Sequence, residues 1–261
     1  MTHPRPNITV NVDVTNPGQF FACCGLLKLA DRLWPGAEGW FENSEFNICC
    51  GGSLHELITK TAAVTLEQLD PNDDMASPMQ LAKPFALTLN WWTDEISGGK
   101  QLKVWAGSMR SVRIARAMQK AILCVPDLSN LFDYPTVVYD PDQNKKKVEP
   151  FYFDSRRGWN AQALDIGFAP DSLKMKTQAH PAVEFLCFVG LQRFRPALTK
   201  QRRKFDYCTW AYPLPLIAAA AAANGSLRTA KTHSYRFENA FRTAQKKHKS
   251  FLPATLIGDP K

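Results

Sequence analysis

Arginine and lysine side chains carry the clearest chemistry in this sequence, because their spacing suits contact with phosphate groups. A helix is predicted over residues 108–124, and at about 100° per residue its cationic side chains share one face. That stripe consists of Arg110, Arg113, Arg116 and Lys120. A guanidinium group donates two parallel hydrogen bonds to phosphate oxygens. Since no acidic residue stands at i,i+4 spacing within the stripe, we predict a phosphate-binding face, with a solvated helix face as the alternative.

Two predicted loops hold further basic groups. The run 156–159 joins two arginines to a glycine, which permits close backbone approach, and to a tryptophan that can stack on a base. The alternative is that this indole fills the core. The run 200–204 is the densest basic stretch, and a merely solvated loop is its alternative; residues 145–147 form a weaker copy at a predicted hairpin tip. The candidate residues of the two loops are Arg156, Arg157, Trp159, Lys200, Arg202, Arg203 and Lys204.

Catalytic motifs are weaker than these binding signals. The cysteine pairs at 23–24 and 49–50 are adjacent in sequence, a spacing that does not chelate zinc. Residues 98–100 read Gly-Gly-Lys but lack the earlier glycine and the following Ser or Thr of a phosphate loop. His55 and His180 each lack an obvious acid–base partner, although a loop histidine among arginines could support RNA cleavage. We therefore predict a non-enzymatic protein without a cofactor or metal.

Charge divides the chain into two unequal parts. Residues 1–95 contain five Lys and Arg against twelve Asp and Glu, whereas residues 96–261 contain 27 against twelve, so their net charges are −7 and +15. A positive field this concentrated is what polyanions select. We accordingly predict an acidic part over 1–95 and a basic part over 96–261, with nucleic acid as the partner of the second, and leave open whether the two form one domain.

Composition indicates a cytoplasmic globular protein. The chain has 261 residues, of which 45% are hydrophobic and 21% charged, enough to bury a substantial core. The seven cysteines are an odd number, which favours reduced thiols in the cytosol. The first residues include no apolar segment of the kind a secretory signal needs, and no apolar run reaches membrane-spanning length. We expect no association with membranes.

The predicted elements give an α+β fold with a mixed or antiparallel sheet and packed helices, more helical in its basic C-terminal part. Asn16 followed by Pro17 is a typical helix start, and Ser53 with Glu56 forms a capping box. The predicted strands are 8–14, 41–50 and 85–91, with a hairpin of 136–139 and 148–153. The predicted helices are 19–34, 53–69, 108–124, 181–194 and 214–223.

Four segments together resemble a known family. They are the Asn16-Pro17-Gly18 helix start with its apolar continuation to Leu27, Val104–Gly107 leading into Arg113–Arg116, Phe151–Gly158, and Thr209–Pro215. In this order they resemble the short large-subunit-like CRISPR-associated protein of type I-G systems, formerly I-U or Dpsyc. The likeness extends from about Asn16 to Pro253, and no single motif in it is diagnostic of chemistry.

The resemblance implies a subunit of a type I CRISPR surveillance (Cascade) complex that acts in antiviral defence. Large subunits of the family lie near the 5′ end of the guide RNA, help recognise the protospacer-adjacent motif, stabilise the opened target and dock the helicase-nuclease. The implied partners are therefore CRISPR RNA, target double-stranded DNA, other Cascade subunits and that effector. Base pairing with the guide reads most of the target sequence, and protein reads a short duplex motif and backbone shape.

Two alternatives remain for function. One is a guide-RNA-processing endoribonuclease of the same system, and the other is a structural subunit that contacts only protein. The chain is short for a large subunit, so the helical C-terminal part of longer relatives is expected to be reduced or supplied separately. The family transfers no motif-reading residues to numbered positions here, so the candidate residues depend on the charge pattern.

Overall fold

Helices and antiparallel sheets together form a mixed α+β fold, which confirms the predicted class. The computed structural model describes residues 4–106, 109–157, 178–229, 231–242, 246 and 248–257, with only the backbone of 144 and 145. Within these ranges no helix is long and apolar enough to cross a membrane. The helices are α1 (Pro17–Leu33), α2 (Leu54–Ala63), α3 (Gly99–Leu102), α4 (Ser111–Ala121), α5 (Pro181–Gly190) and α6 (Leu216–Ala223).

The strands form two larger sheets, a small sheet and a hairpin, all with antiparallel pairing. The first sheet has the order β1 (Ile8–Asn11), β3 (Glu45–Cys49), β2 (Glu38–Glu42), β11 (Leu214–Pro215). The second has the order β13 (Lys249–Phe251), β12 (Ser234–Phe241), β10 (Lys204–Cys208), β9 (Ala197–Leu198), and β14 (Thr255–Ile257) also pairs with β12. The small sheet contains β4 (Leu66–Gln68), β5 (Met79–Leu81) and β6 (Leu87–Leu89), and the hairpin β7 (Tyr139–Asp140) and β8 (Gln143–Lys147).

Helix α1 lies in the centre of the core, as its apolar sequence predicts. The side chain of Asn16 accepts a hydrogen bond from the Gly18 amide at 3.1 Å, and Pro17 occupies the first turn. Helix α5 packs against α1 at very short range. A Cβ atom on Gly25 would lie 2.0 Å from the Leu186 carbonyl oxygen, and one on Gly190 would lie 2.0 Å from the Phe21 carbonyl oxygen. Only glycine permits this backbone-to-backbone contact.

The hydrophobic core contains side chains from both sides of the charge boundary near residue 96. Strand β2 pairs with β11 through Gly39 and Leu214. The Trp91 indole donates a hydrogen bond to the Phe188 carbonyl at 3.0 Å. Acidic and basic parts of the sequence therefore share one core among the described residues.

Several predicted boundaries differ from the structure. The predicted strand 41–50 is a hairpin, because Asn43 and Ser44 adopt positive φ angles of 47° and 64° and form a two-residue turn. Helix α2 ends at Ala63, and residues predicted as its last turn form β4. After Gly190 the described chain has one α-helix, α6, and six strands, β9 to β14. The hairpin near 140 turns at Pro141-Asp142, which places 145–147 on β8 instead of at its tip.

All seven cysteines are free thiols. Cys23, Cys24 and Cys187 are buried between α1 and α5, and burial raises the pKa of each thiol. Cys124, just after α4, is the exposed member of the set. The buried thiols act as small hydrophobic side chains.

Candidate nucleic-acid interface

The predicted cationic stripe does lie along one side of α4, but neighbouring elements neutralise or anchor most of it. Arg113 contacts Asp140 of β7 with an Nε–Oδ2 distance of 2.5 Å, and its side chain is only 24% exposed. Arg116 donates from Nε to the Leu66 carbonyl at 2.9 Å, and Lys120 donates from Nζ to the Ala62 carbonyl at 2.8 Å.

The stripe itself contains no acidic residue at i,i+4 spacing, but Arg113 is nevertheless paired with a carboxylate. Its acidic partner comes from a hairpin that follows α4 in the sequence, and not from the helix itself. Arg110 is largely exposed and lies 3.5 Å from Asp74 of the loop before β5. Helical spacing alone cannot detect such partners. Much of the stripe attaches α4 to its neighbours, and Arg110 and Lys120 remain as exposed cations there.

Arg156 and Arg157 also point into the protein framework. The Arg156 guanidinium donates two hydrogen bonds to the Asp154 carboxylate, at 3.0 Å from Nε and 2.9 Å from Nη2, and one to Asp133 at 2.8 Å. Arg157 lies 3.3 Å from Glu149 and donates to the backbone carbonyl of Gln178. These arginines hold a loop together, and their predicted contact with nucleic acid stays a prediction. Trp159 lies outside the described residues.

Asp154 is the centre of a buried polar network. Its carboxylate accepts a hydrogen bond from the Asn16 side chain at 2.8 Å and lies 2.7 Å from Nδ1 of His180. Burial would raise the pKa of Asp154, but hydrogen bonds from His180 and Arg156 hold it well below its usual range. Two segments of the family-like pattern, the α1 start and the Phe151–Gly158 segment, meet at this contact between Asn16 and Asp154.

Glu184 of α5 completes the network from the other side. Its carboxylate accepts hydrogen bonds from the backbone amides of Tyr152, Phe153 and Asp154 at 3.0, 3.3 and 3.1 Å. Burial raises the pKa of Glu184 to about 7, and the charge of Asp154 adds to the rise while the backbone hydrogen bonds oppose it. Periodicity could not have identified this residue, because a single acidic residue within an apolar helix forms no pattern.

The run 200–204 is the predicted basic group that the structure leaves most open. It forms the turn between β9 and the start of β10, in which Lys200 and Arg202 are exposed. Arg203 has a positive φ of 65°, lies over the Phe241 ring at 4.9 Å and is 3.7 Å from Glu238. Lys204 is partly buried as the first residue of β10. A turn of this kind projects its cations into solvent.

Three lysines that are not among the predicted binding residues, Lys100, Lys103 and Lys249, lie beside this turn. Burial, together with weaker repulsion from Arg203, Lys103 and Arg202, lowers the pKa of Lys249 to about 8. Burial also lowers the pKa of Lys103, with Lys100 adding to the effect and Asp73 opposing it. We define the basic surface as Lys100, Lys103, Lys200, Arg202, Arg203 and Lys249. No local sequence pattern links these residues, since they come from α3 and its flank, the β9–β10 turn and β13.

Asn239 of β12 fixes the geometry of the basic surface. Its buried side chain donates from Nδ2 to the carbonyls of Gln101 and Leu102 at 2.8 and 3.0 Å, and its amide donates to the Arg203 carbonyl at 2.9 Å. Lys249 donates from Nζ to the same Gln101 carbonyl at 2.8 Å. Asn239 therefore joins the α3 segment, through its side-chain amide, to the β9–β10 turn, through its backbone amide. These bonds position the cations of both segments before any ligand binds.

The cations of the basic surface outnumber the carboxylates that contact them. Glu95 lies 2.5 Å from Lys100, and Glu238 lies 3.7 Å from Arg203. The remaining positive charges repel one another, and an anion placed among them would relieve that repulsion. Phosphate groups of a nucleic-acid backbone supply such charge at regular spacing.

No group of three or more His, Cys, Asp or Glu side chains is placed to hold a metal ion in the part of the chain that the structure describes. Comparisons with protein-family models, with curated proteins and with solved structures gave no match.

Proposed function

We propose that this protein binds a nucleic-acid backbone through the basic surface, without catalysing a reaction. The observation that carries the proposal is the convergence of Lys249, Lys103 and Arg202 from three separate segments, which hydrogen bonds of Asn239 and Lys249 hold together. Burial lowers the pKa of Lys249, and repulsion from the neighbouring cations acts in the same direction. A solvated surface spreads its charges apart, whereas a phosphate site brings cations together at some cost in repulsion. Lys200 and Arg202 extend the surface outward, where a phosphate chain can reach them.

Substitution of two exposed cations tests the surface directly. We expect Lys200→Ala/Arg202→Ala to reduce the steepness of log K against log salt by about 2, and to lower affinity about tenfold near physiological salt. Because the variant makes fewer phosphate contacts, fewer counterions are released when it binds, and the dependence of log K on log salt becomes less steep. Filter binding of the isolated chain to duplex DNA and to RNA over a salt series measures both quantities.

The matched control for this experiment is Arg110→Ala/Lys120→Ala, which removes the same two residue types from exposed positions of the α4 stripe. It should change affinity by less than about twofold, because general charge effects are screened over a Debye length. An equal loss of affinity in both variants would show that binding depends on the overall positive charge of the protein and not on the basic surface. If the unaltered chain showed no salt-dependent binding, the proposal would be contradicted, and the alternative of a structural subunit that contacts only protein would be favoured.

The setting that we propose for this binding is a type I CRISPR surveillance complex in the cytoplasm. The resemblance in the sequence and the basic C-terminal part both support it. There the surface would hold guide RNA or opened target DNA and assist recognition of the protospacer-adjacent motif. Affinity purification of the chain from cells that express its own operon is expected to recover other Cascade subunits and CRISPR RNA. Recovery of the chain without RNA would contradict this setting.

One contact favours the endoribonuclease alternative. Nδ1 of His180 lies 2.7 Å from a buried carboxylate, a pairing that orients imidazole in many general bases. That carboxylate also accepts hydrogen bonds from Arg156 and Asn16, which fits a framework role equally well. If the alternative holds, purified protein should cleave repeat RNA at one site without metal, and His180→Ala should abolish cleavage. We expect no cleavage by either form.

A further inference from the structure

A cleft of about 700 Å³ lies on the opposite end of the second sheet from the basic surface. Its walls are the β2–β3 turn, the segment after β10, and the residues that lead into β12. Phe41 and Trp210 form its floor, with ring centroids 4.8 Å apart in an edge-to-face arrangement. The indole of Trp210 donates to the Gly39 carbonyl at 2.7 Å, and the Phe41 amide donates to the Trp210 carbonyl at 2.9 Å. The floor is thus rigid and apolar.

The rim of this cleft carries an aromatic ring and groups of both charges. Tyr212 is 37% exposed and stands beside the floor. Lys231 and His233 lie on one wall, and Glu42 and Glu45 lie on the wall of the β2–β3 turn. An exposed aromatic offers a face for stacking. Carboxylates accept hydrogen bonds from base N–H groups but repel phosphate, while the lysine attracts phosphate.

Two paired strands connect the cleft to the basic surface. Strand β10 begins beside Arg203 and ends before Thr209, and β12 pairs with it along its length. The six residue steps from Arg203 to Thr209 span about 20 Å at the usual rise of a strand. A nucleic-acid strand with its backbone on the basic surface can therefore extend to the cleft within about six nucleotides at 3.4 Å each.

From this arrangement we infer that the cleft binds one unpaired base of the nucleic acid held by the basic surface. The inference rests on the proposed function and adds the kind of strand recognised. The base would stack on Tyr212 above the floor, donate to a carboxylate of the β2–β3 turn and leave its phosphate beside Lys231. A base inside a regular duplex cannot enter, since both of its faces are stacked.

Fluorescence of 2-aminopurine tests the cleft. We expect 2-aminopurine riboside 5′-monophosphate to be quenched saturably by the unaltered chain and by Tyr212→Phe, but not by Tyr212→Ala. For a short single strand, Tyr212→Ala should weaken binding about tenfold, which corresponds to the loss of one stacked base. Binding of blunt duplex DNA should stay within about twofold. Tyr139→Ala is the matched control, because Tyr139 is 43% exposed on the β7–β8 hairpin, and it should leave all three measurements unchanged.

Failure of this inference can be separated from failure of the proposed function. Unchanged single-strand affinity in Tyr212→Ala, with salt-dependent duplex binding intact, would overturn the base-binding cleft and leave the basic surface standing. Equal losses in Tyr212→Ala and Tyr139→Ala would overturn it as well. Quenching of the mononucleotide without any binding of strands would support the cleft and contradict the basic surface. Circular dichroism of each variant establishes that it is folded.

Discussion

Replacement of Asp154 by alanine is expected to lower the free energy of unfolding by about 4 kcal/mol. The carboxylate is fully buried and accepts hydrogen bonds from Arg156 and Asn16, with His180 2.7 Å away. Without it, a guanidinium that is only about one third exposed loses its bidentate acceptor, and the Asn16 amide is left without its acceptor. Removing one partner from a buried ionic network is more costly than exchanging the whole network for apolar groups.

Urea denaturation at neutral pH measures this effect. The control is Asp142→Ala, which removes a carboxylate exposed at the turn of the β7–β8 hairpin and should change stability by less than about 0.5 kcal/mol. A loss below about 1 kcal/mol for Asp154→Ala would show that the network contributes little. We also expect Asp154→Asn to recover part of the stability, since its side-chain oxygen can still accept from Arg156.

The second large effect is expected from one added methyl group, in Gly25→Ala. Its Cβ atom would lie 2.0 Å from the Leu186 carbonyl oxygen, far inside van der Waals contact. The obstacle is backbone on a buried helix, so α1 and α5 must move apart. Overpacking of this kind costs about 3 kcal/mol, and displacement of α5 also disturbs the hydrogen bonds that Glu184 accepts from the amides of residues 152–154.

Thermal unfolding followed by circular dichroism is the appropriate measurement for this variant. Gly51→Ala adds the same methyl group at an exposed position, where the nearest atom is 3.2 Å away on the side chain of Trp34. We expect its melting temperature to stay within a few degrees of the unaltered chain, because a side chain can yield. Similar melting temperatures for the two variants would argue against close packing of α1 on α5.

Local signals in the sequence predicted α1 well. Its Asn16-Pro17 start and continuous apolar run specify a buried helix regardless of what surrounds it. The hairpin β2–β3 was missed because the predicted strand included the four polar residues Glu42–Glu45, although Asn43 and Ser44 among them form a turn. The C-terminal strands were missed for a different reason: their pairing joins residues far apart in sequence, and an isolated strand has little preference of its own.

The candidate site was predicted only in part. Whether a predicted cation is open to a ligand depends on whether a carboxylate from another segment pairs with it. Arg113 was assigned to a binding face on helical spacing, but Asp140 lies on a later hairpin and pairs with it. Arg202 stays open because it stands at the tip of a tight turn. Lys249 could not have been selected from the sequence, since its significance comes from neighbours on two other segments.

Cys124 makes the protein suitable for single-site labelling without any change of sequence. Its thiol is exposed, whereas Cys23, Cys24 and Cys187 are sealed between two helices and Cys208 is buried. Cys49 and Cys50 are partly covered, and burial raises the pKa of Cys50, which slows its reaction with alkylating dyes. A maleimide fluorophore used in limiting amount should therefore attach first next to α4. Cys124 neither lines the cleft nor belongs to the basic surface as defined above, so the dye would report on assembly with partners without replacing a residue of either.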